Sequence, residues 1–304
     1  MDLAECLATI ATGTNKDMLQ IDLTTLSVKD ASKLAKHKGP LDFVGLTALS
    51  AQVATELAKH KGTLFLGLTT LSVKVATELA KHKGKVILDG LTTLSVKVAI
   101  ELAKHKDGLS FNGLTTLSAQ VATELAKSKG IIVLNGLTTL SAQVATELAK
   151  HKGALQLGGL TTLPVDVATE LAKSKDILLL DGLKTLPVEV ATGLAMSKGG
   201  LQLGGLTTLS IKVAIELANH KGVLSLNGLK TLSPKAKATL MANPGINLPE
   251  KFQDKKLENT PEGKDPEQEA DENYPLGLAH QQVSEVVKIA ETPNRVGDPR
   301  RINH

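Results

Sequence analysis

Aromatic side chains are nearly missing from this sequence: 2% of 304 residues, with one Tyr and no Trp. Proteins that stack nucleic-acid bases rely on aromatics. A net charge of +4 is also too small a surplus to grip a phosphate backbone, so nucleic acid is not an expected partner. A single Cys, Cys6, excludes an internal disulfide framework. No run of about 18 apolar residues occurs, so no membrane insertion is expected. The N-terminus lacks a basic stretch followed by an apolar one, so no secretory signal is seen and a cytoplasmic location is the expectation. There is no Ser-His-Asp arrangement, phosphate-binding loop or metal-ligand spacing. The chain therefore reads as non-enzymatic, with no cofactor.

What is abundant is repetition. A Leu-Thr/Lys-Thr/Ala-Leu anchor begins at Leu23, Leu46, Leu68, Leu91, Leu114, Leu137, Leu160, Leu183, Leu206 and Leu229, at spacings of 23, 22 and then 23 throughout. A fixed period of this size means stacked repeats. Each unit opens with a short alternating stretch such as Leu109-Ser110-Phe111, which reads as a strand. An Asn-Gly, Asp-Gly or Gly-Gly pair follows (Asn112-Gly113), expected to bend the chain by tolerating positive φ. Ser118 stands where a helix N-cap is wanted, and Pro164 or Pro187 replaces it in two repeats. Val121, Ala122, Leu125 and Ala126 share one helical face, with Glu124 and Lys127 opposite. Gly130 is expected to stop the helix. Such a unit cannot bury its own apolar face, so the copies must stack, with their strands forming a parallel sheet.

The Leu-x-Leu strand, the Leu-x-x-Leu anchor and the helical Val-Ala-x-x-Leu-Ala together resemble the leucine-rich repeat family over residues 19–248, and most closely its bacterial branch. The Asn that ties successive turns in that family has no counterpart where Leu114 and Leu137 stand. The resemblance implies an α/β solenoid with a parallel β-sheet on one face and helices on the other, and ligand binding on the concave strand face.

Around this array, residues 1–18 read as an N-terminal helical cap, with Cys6 expected to be partly exposed. Residues 249–304 read as a mostly disordered charged tail with a short helix over 279–291. Residues 1–248 carry 27 Lys against 19 acidic residues, whereas the tail carries 8 bases against 12 acids. The repeat beginning at Leu46 is one residue short, where a kink or bulge is expected.

Six His share one column: His37, His60, His82, His105, His151 and His220. Ser128, Ser174 and Ser197 occupy it elsewhere, and the column reads as charge complementation at helix C-termini. Paired threonines such as Thr115-Thr116 invite an ice-binding reading. Neighbouring residues of an extended segment, however, point to opposite sides. The informative variation lies in the strands. The residues between and just before the strand leucines face away from the core. Candidate partner-binding residues there are Phe65, Ile87, Ile131, Val133, Gln156, Ile177, Leu179 and Gln202. Two functional readings stay open: a scaffold binding a protein or peptide through this face, or a duplicated structural array without a specific ligand. Oligomeric state is not legible.

Overall fold

The computed structural model describes residues 3–12, 16–43 and 45–253. The expected disordered tail from residue 254 on, with its helix over 279–291, lies outside the described residues. Eleven strands form one all-parallel sheet in chain order, from Leu19–Ile21 to Ile246–Asn247. Each strand pairs with the next in an unbroken register: Leu109 lies opposite Ile132, Ile132 opposite Leu155, and Leu155 opposite Leu178. A helix returns each strand to the next.

The helices are short, and their ends follow from local chemistry. Ala119–Leu125 is seven residues long, and the Ser118 hydroxyl accepts from the Val121 N–H. The same cap recurs at Ser50, Ser72, Ser95, Ser141 and Ser210. Pro164 and Pro187 take the cap position without a side-chain bond. Such helices are too short to be stable alone and depend on packing. Val121, Ala122 and Leu125 are buried with the strand residues Leu109 and Ile132 and with Phe111, just past its strand, in one continuous core running the length of the solenoid.

Gly130 does not stop its helix. The helix ends four residues earlier at a right-handed Ala126, whose N–H bonds to Ala122 O. Gly130 is required by space: a Cβ there would stand 1.6 Å from Asp107 O of the preceding turn. Gly113 is likewise pressed against the turn before it, where a Cβ would meet Asp89 O at 2.3 Å, and neither glycine uses positive φ. The missing residue in the Leu46 repeat leaves no break in the sheet. Leu64 pairs with Leu41 on one side and Val86 on the other, so the shortening is absorbed in the turn at Gly67.

At the N-terminal end the helix Leu3–Thr12 packs on the first repeat, and Cys6 is fully buried there, not partly exposed. At the other end the chain stays ordered past residue 249. A short 3-10 turn, Glu250–Phe252, follows the last strand, and Lys251 Nζ donates to Lys230 O at 2.7 Å.

Candidate functional site

The face of the sheet away from the helices carries one side chain from the middle of each strand. Register places these in a row: Phe65, Ile87, Ser110, Val133, Gln156, Leu179 and Gln202 lie side by side on successive strands. Parallel strands about 4.8 Å apart crowd such a row. The expectation that these residues stand open to solvent therefore fails for most of them. Leu179 has no exposed surface, and Val133, Gln156 and Gln202 are buried, while Phe65 and Ile87 are half-buried. Leu179 and Ala154 form an apolar cluster separate from the main core, with Ile131 and Ile177 packed half-exposed at its rim. Gln156 and Gln202 flank Leu179, and the side-chain oxygen of each is buried without a hydrogen-bond partner. Gln202 Nε2 donates to Asp181 Oδ2 at 2.7 Å.

Two polar ladders hold this face in place. On the strand-to-helix side, Asp89 Oδ1 accepts from the Asn112 N–H at 2.9 Å, Asn112 Oδ1 from the Asn135 N–H at 3.0 Å, and Asn135 Oδ1 from the Gly158 N–H at 2.7 Å. The turn-tying Asn that was missed at Leu114 and Leu137 thus stands two residues earlier, at Asn112 and Asn135. On the helix-to-strand side the histidine column does equivalent work. Nε2 of His37, His82 and His151 lies 2.9 Å from the carbonyl oxygens of Asp17, Gly62 and Gly130. A carbonyl only accepts, so Nε2 carries the proton. Ser197 Oγ reaches Ser174 O in the same way, at 3.4 Å, which is why Ser substitutes here.

These rings do not complement helix charge as expected. They are buried, and His37, His60, His82 and His105 stack with centroids 6.0–6.5 Å apart. Burial first, and the neighbouring His82 second, push His60 down to about 4. Burial is also the main cause that lowers His82, His105, His151 and His220. Nε2 of His60 and His105 has no such carbonyl partner, and no group of three or more potential ligands among the described residues could hold a metal ion. Thr115 and Thr116 are both exposed, in the turn segment and not on a strand.

One feature had little signal in the sequence. At the N-terminal edge of the strands, Lys61, Lys85 and Lys106 line an open cleft of about 440 Å³ together with Thr63, Asp107, Ile131 and glycine backbone. Lys85 is the sole charged residue in the column just before the strands, which was the available clue. Gly108 makes room for its stem, since a Cβ there would meet Lys85 Cγ at 3.3 Å.

No family model and no curated protein matches this chain. Among solved structures it is similar to a chain of the Toll–Spatzle complex from Drosophila, at 13% identity and a TM-score of 0.45, over 77% of this chain and 43% of that one. It is also similar to an internalin of Listeria monocytogenes, at 12% identity and a TM-score of 0.41, over 82% of this chain and 94% of that one. No helix among the described residues is long and apolar enough to cross a membrane. The leucine-anchored period, the all-parallel sheet in chain order and the helix that returns each strand to the next make this chain a leucine-rich-repeat-type solenoid.

Proposed function

We propose that the solenoid is a non-enzymatic interaction scaffold that takes a protein or peptide on its strand face. The observation that carries this reading is the apolar cluster of Ile131, Ala154, Ile177 and Leu179. It lies outside the main core, on the side of the sheet away from the helices. Apolar side chains gathered on such a face mark interaction sites more often than singly scattered ones do. The rim residues Ile131 and Ile177, with Phe65 and Ile87 two to three strands away, offer apolar contact. Rotated outward, the unpartnered oxygens of Gln156 and Gln202 would serve as acceptors for a ligand N–H. The rival reading, an array without a specific ligand, draws on the identity of residues 113–127 and 136–150. It calls for a uniformly polar strand face, and the apolar cluster stands against it.

The test is quantitative affinity capture with the full chain as bait, beside an Ile131→Asp/Ile177→Asp bait. Rim positions are chosen because Leu179 is fully buried, and a charge there would threaten the fold. A protein enriched by the first bait and lost from the second supports the reading, because the introduced carboxylates would be buried without partners. Equal capture by both baits, or no enriched protein, contradicts it.

A further inference from the structure

The helix-to-strand turns carry two lysine columns, and the structure treats them differently. The first column is neutralised: Lys59, Lys81, Lys104, Lys127 and Lys150 each pair with the Glu three residues earlier at 2.6–2.8 Å. The second column is Lys38, Lys61, Lys83, Lys106, Lys129, Lys152, Lys175, Lys198 and Lys221. All nine are exposed, and none is seen in an ion pair among the described residues. Sheet spacing sets successive members about 5 Å apart, so the column is a cationic edge roughly 40 Å long. Like charges in such a ladder repel and are destabilising when left uncompensated. The repulsion is sharpest where the edge deepens into the cleft. There Lys85, half-buried, joins Lys61 and Lys106 against the single carboxylate of Asp107. Burial holds Lys85 below the ordinary lysine value, a cost that an incoming anion offsets.

The matching anion is in the same chain. Residues 258–272 hold Glu258, Glu262, Asp265, Glu267, Glu269, Asp271 and Glu272 against Lys264 alone. We propose that the lysine edge, with the cleft at Lys61, Lys85 and Lys106 as its deepest point, is the docking surface for this chain's own acidic tract 258–272. Reach permits it. The described chain ends at Gln253, beside the eleventh strand, and the cleft lies between the third and sixth strands. That separation is roughly 25–40 Å at about 4.8 Å per strand. An extended chain covers about 3.3–3.6 Å per residue, so Glu262 through Glu272 lie roughly 30–65 Å of chain beyond Gln253. Docked in this way, the tract would run back along the edge, toward the N-terminal repeats. Glu267, Glu269 and Asp271 alternate, so in an extended segment their carboxylates share one side. Charge and reach select the tract; no apolar contact is needed.

Carbodiimide coupling tests this on the full chain, because it condenses a lysine amine and a carboxylate in contact into an amide. The coupled protein is digested and mapped by mass spectrometry, using a mixture of nitrogen-14 and nitrogen-15 chains at low concentration. The expected links join 258–272 to Lys61, Lys83, Lys85 and Lys106 within one chain, in clear excess over links to Lys59, Lys81 and Lys104. They fall several-fold in about 1 M NaCl, where the screening length is about 3 Å. Links to the unaltered Lys83 fall likewise in a Lys61→Gln/Lys85→Gln/Lys106→Gln variant, whose substitutions sit outside the core. Links spread evenly over both lysine columns would overturn the proposal, as would no links at all. Links only between light and heavy chains would also overturn it, assigning the edge to a second copy instead.

Discussion

His82, Asn112 and Gly130 show how single residues hold this solenoid together. Each is shaped by the turn before it, some 20 residues earlier in sequence. For the buried imidazoles the consequence is acid sensitivity. Their folded-state values lie below the ordinary 6.5, so in the interval below 6.5 the unfolded chain binds more protons. The stability they permit is fully present above about 6.5 and drains away as pH falls below it, for His60 down to about 4. The paired glutamates, such as Glu78 and Glu101, titrate below their ordinary 4.5 and stay out of the upper part of that window. The urea midpoint should therefore drop steeply between about 6.5 and 4.5. Replacing His82 and His151 by Ser, the residue this column uses at Ser128, should flatten that slope whatever happens to absolute stability. An unchanged slope would mean the rings are not the titrating groups. The column itself was plain in the sequence. Its role was not, because the carbonyl across the turn is set by how closely the repeats stack. The same limit hid the burial of Cys6 and the reason for Gly130, both of which depend on what a neighbouring turn presents.

At the level of elements, sequence period and capping chemistry were legible down to the atom: Ser118 accepts from Val121, and Glu124 pairs with Lys127. The outward arrangement of Glu was legible only in part. Glu78 also accepts from Thr55 of the preceding helix at 3.0 Å, and Glu147 from Thr123 at 2.9 Å, so the outer face is laced between repeats. Leu125→Ala should cost about 2–5 kcal/mol through the cavity it leaves. Because each repeat touches only its neighbours, hydrogen exchange should rise first in the flanking repeats and not across the array. Uniform loss of protection would contradict a quasi-one-dimensional core. The strand face is where local pattern misled. Alternation correctly put Leu179 on the side away from the helices, yet crowding between strands left it no exposed surface. Leu179→Asp should thus destabilise markedly, while Ile131→Asp and Ile177→Asp should each shift the thermal midpoint only slightly. Equal effects at all three positions would mean the rim is as buried as the centre.

On the scale of the whole molecule, the repeats are interchangeable lengths of one stack. Residues 113–127 and 136–150 are identical, so deleting 114–136 joins Gly113 to Leu137 and leaves an intact repeat at the seam. That shortened chain should fold cooperatively, with the same circular dichroism per residue and a somewhat lower melting temperature. Deleting half a repeat should abolish folding, since it would place a strand opposite a helix. The architecture was readable because a period survives any uncertainty in individual residues. The cleft at Lys85 was not, because it exists only where four successive turns meet. The central claim is that this stack presents its strand face to a partner. Calorimetric titration of a captured partner against three full-length forms tests that most directly: the native chain, Ile131→Asp/Ile177→Asp on the strand face, and Gln120→Asp/Gln143→Asp on the exposed helix face. Binding should be lost in the strand-face form and kept in the helix-face form. Binding kept by the strand-face form and lost by the helix-face form would contradict it.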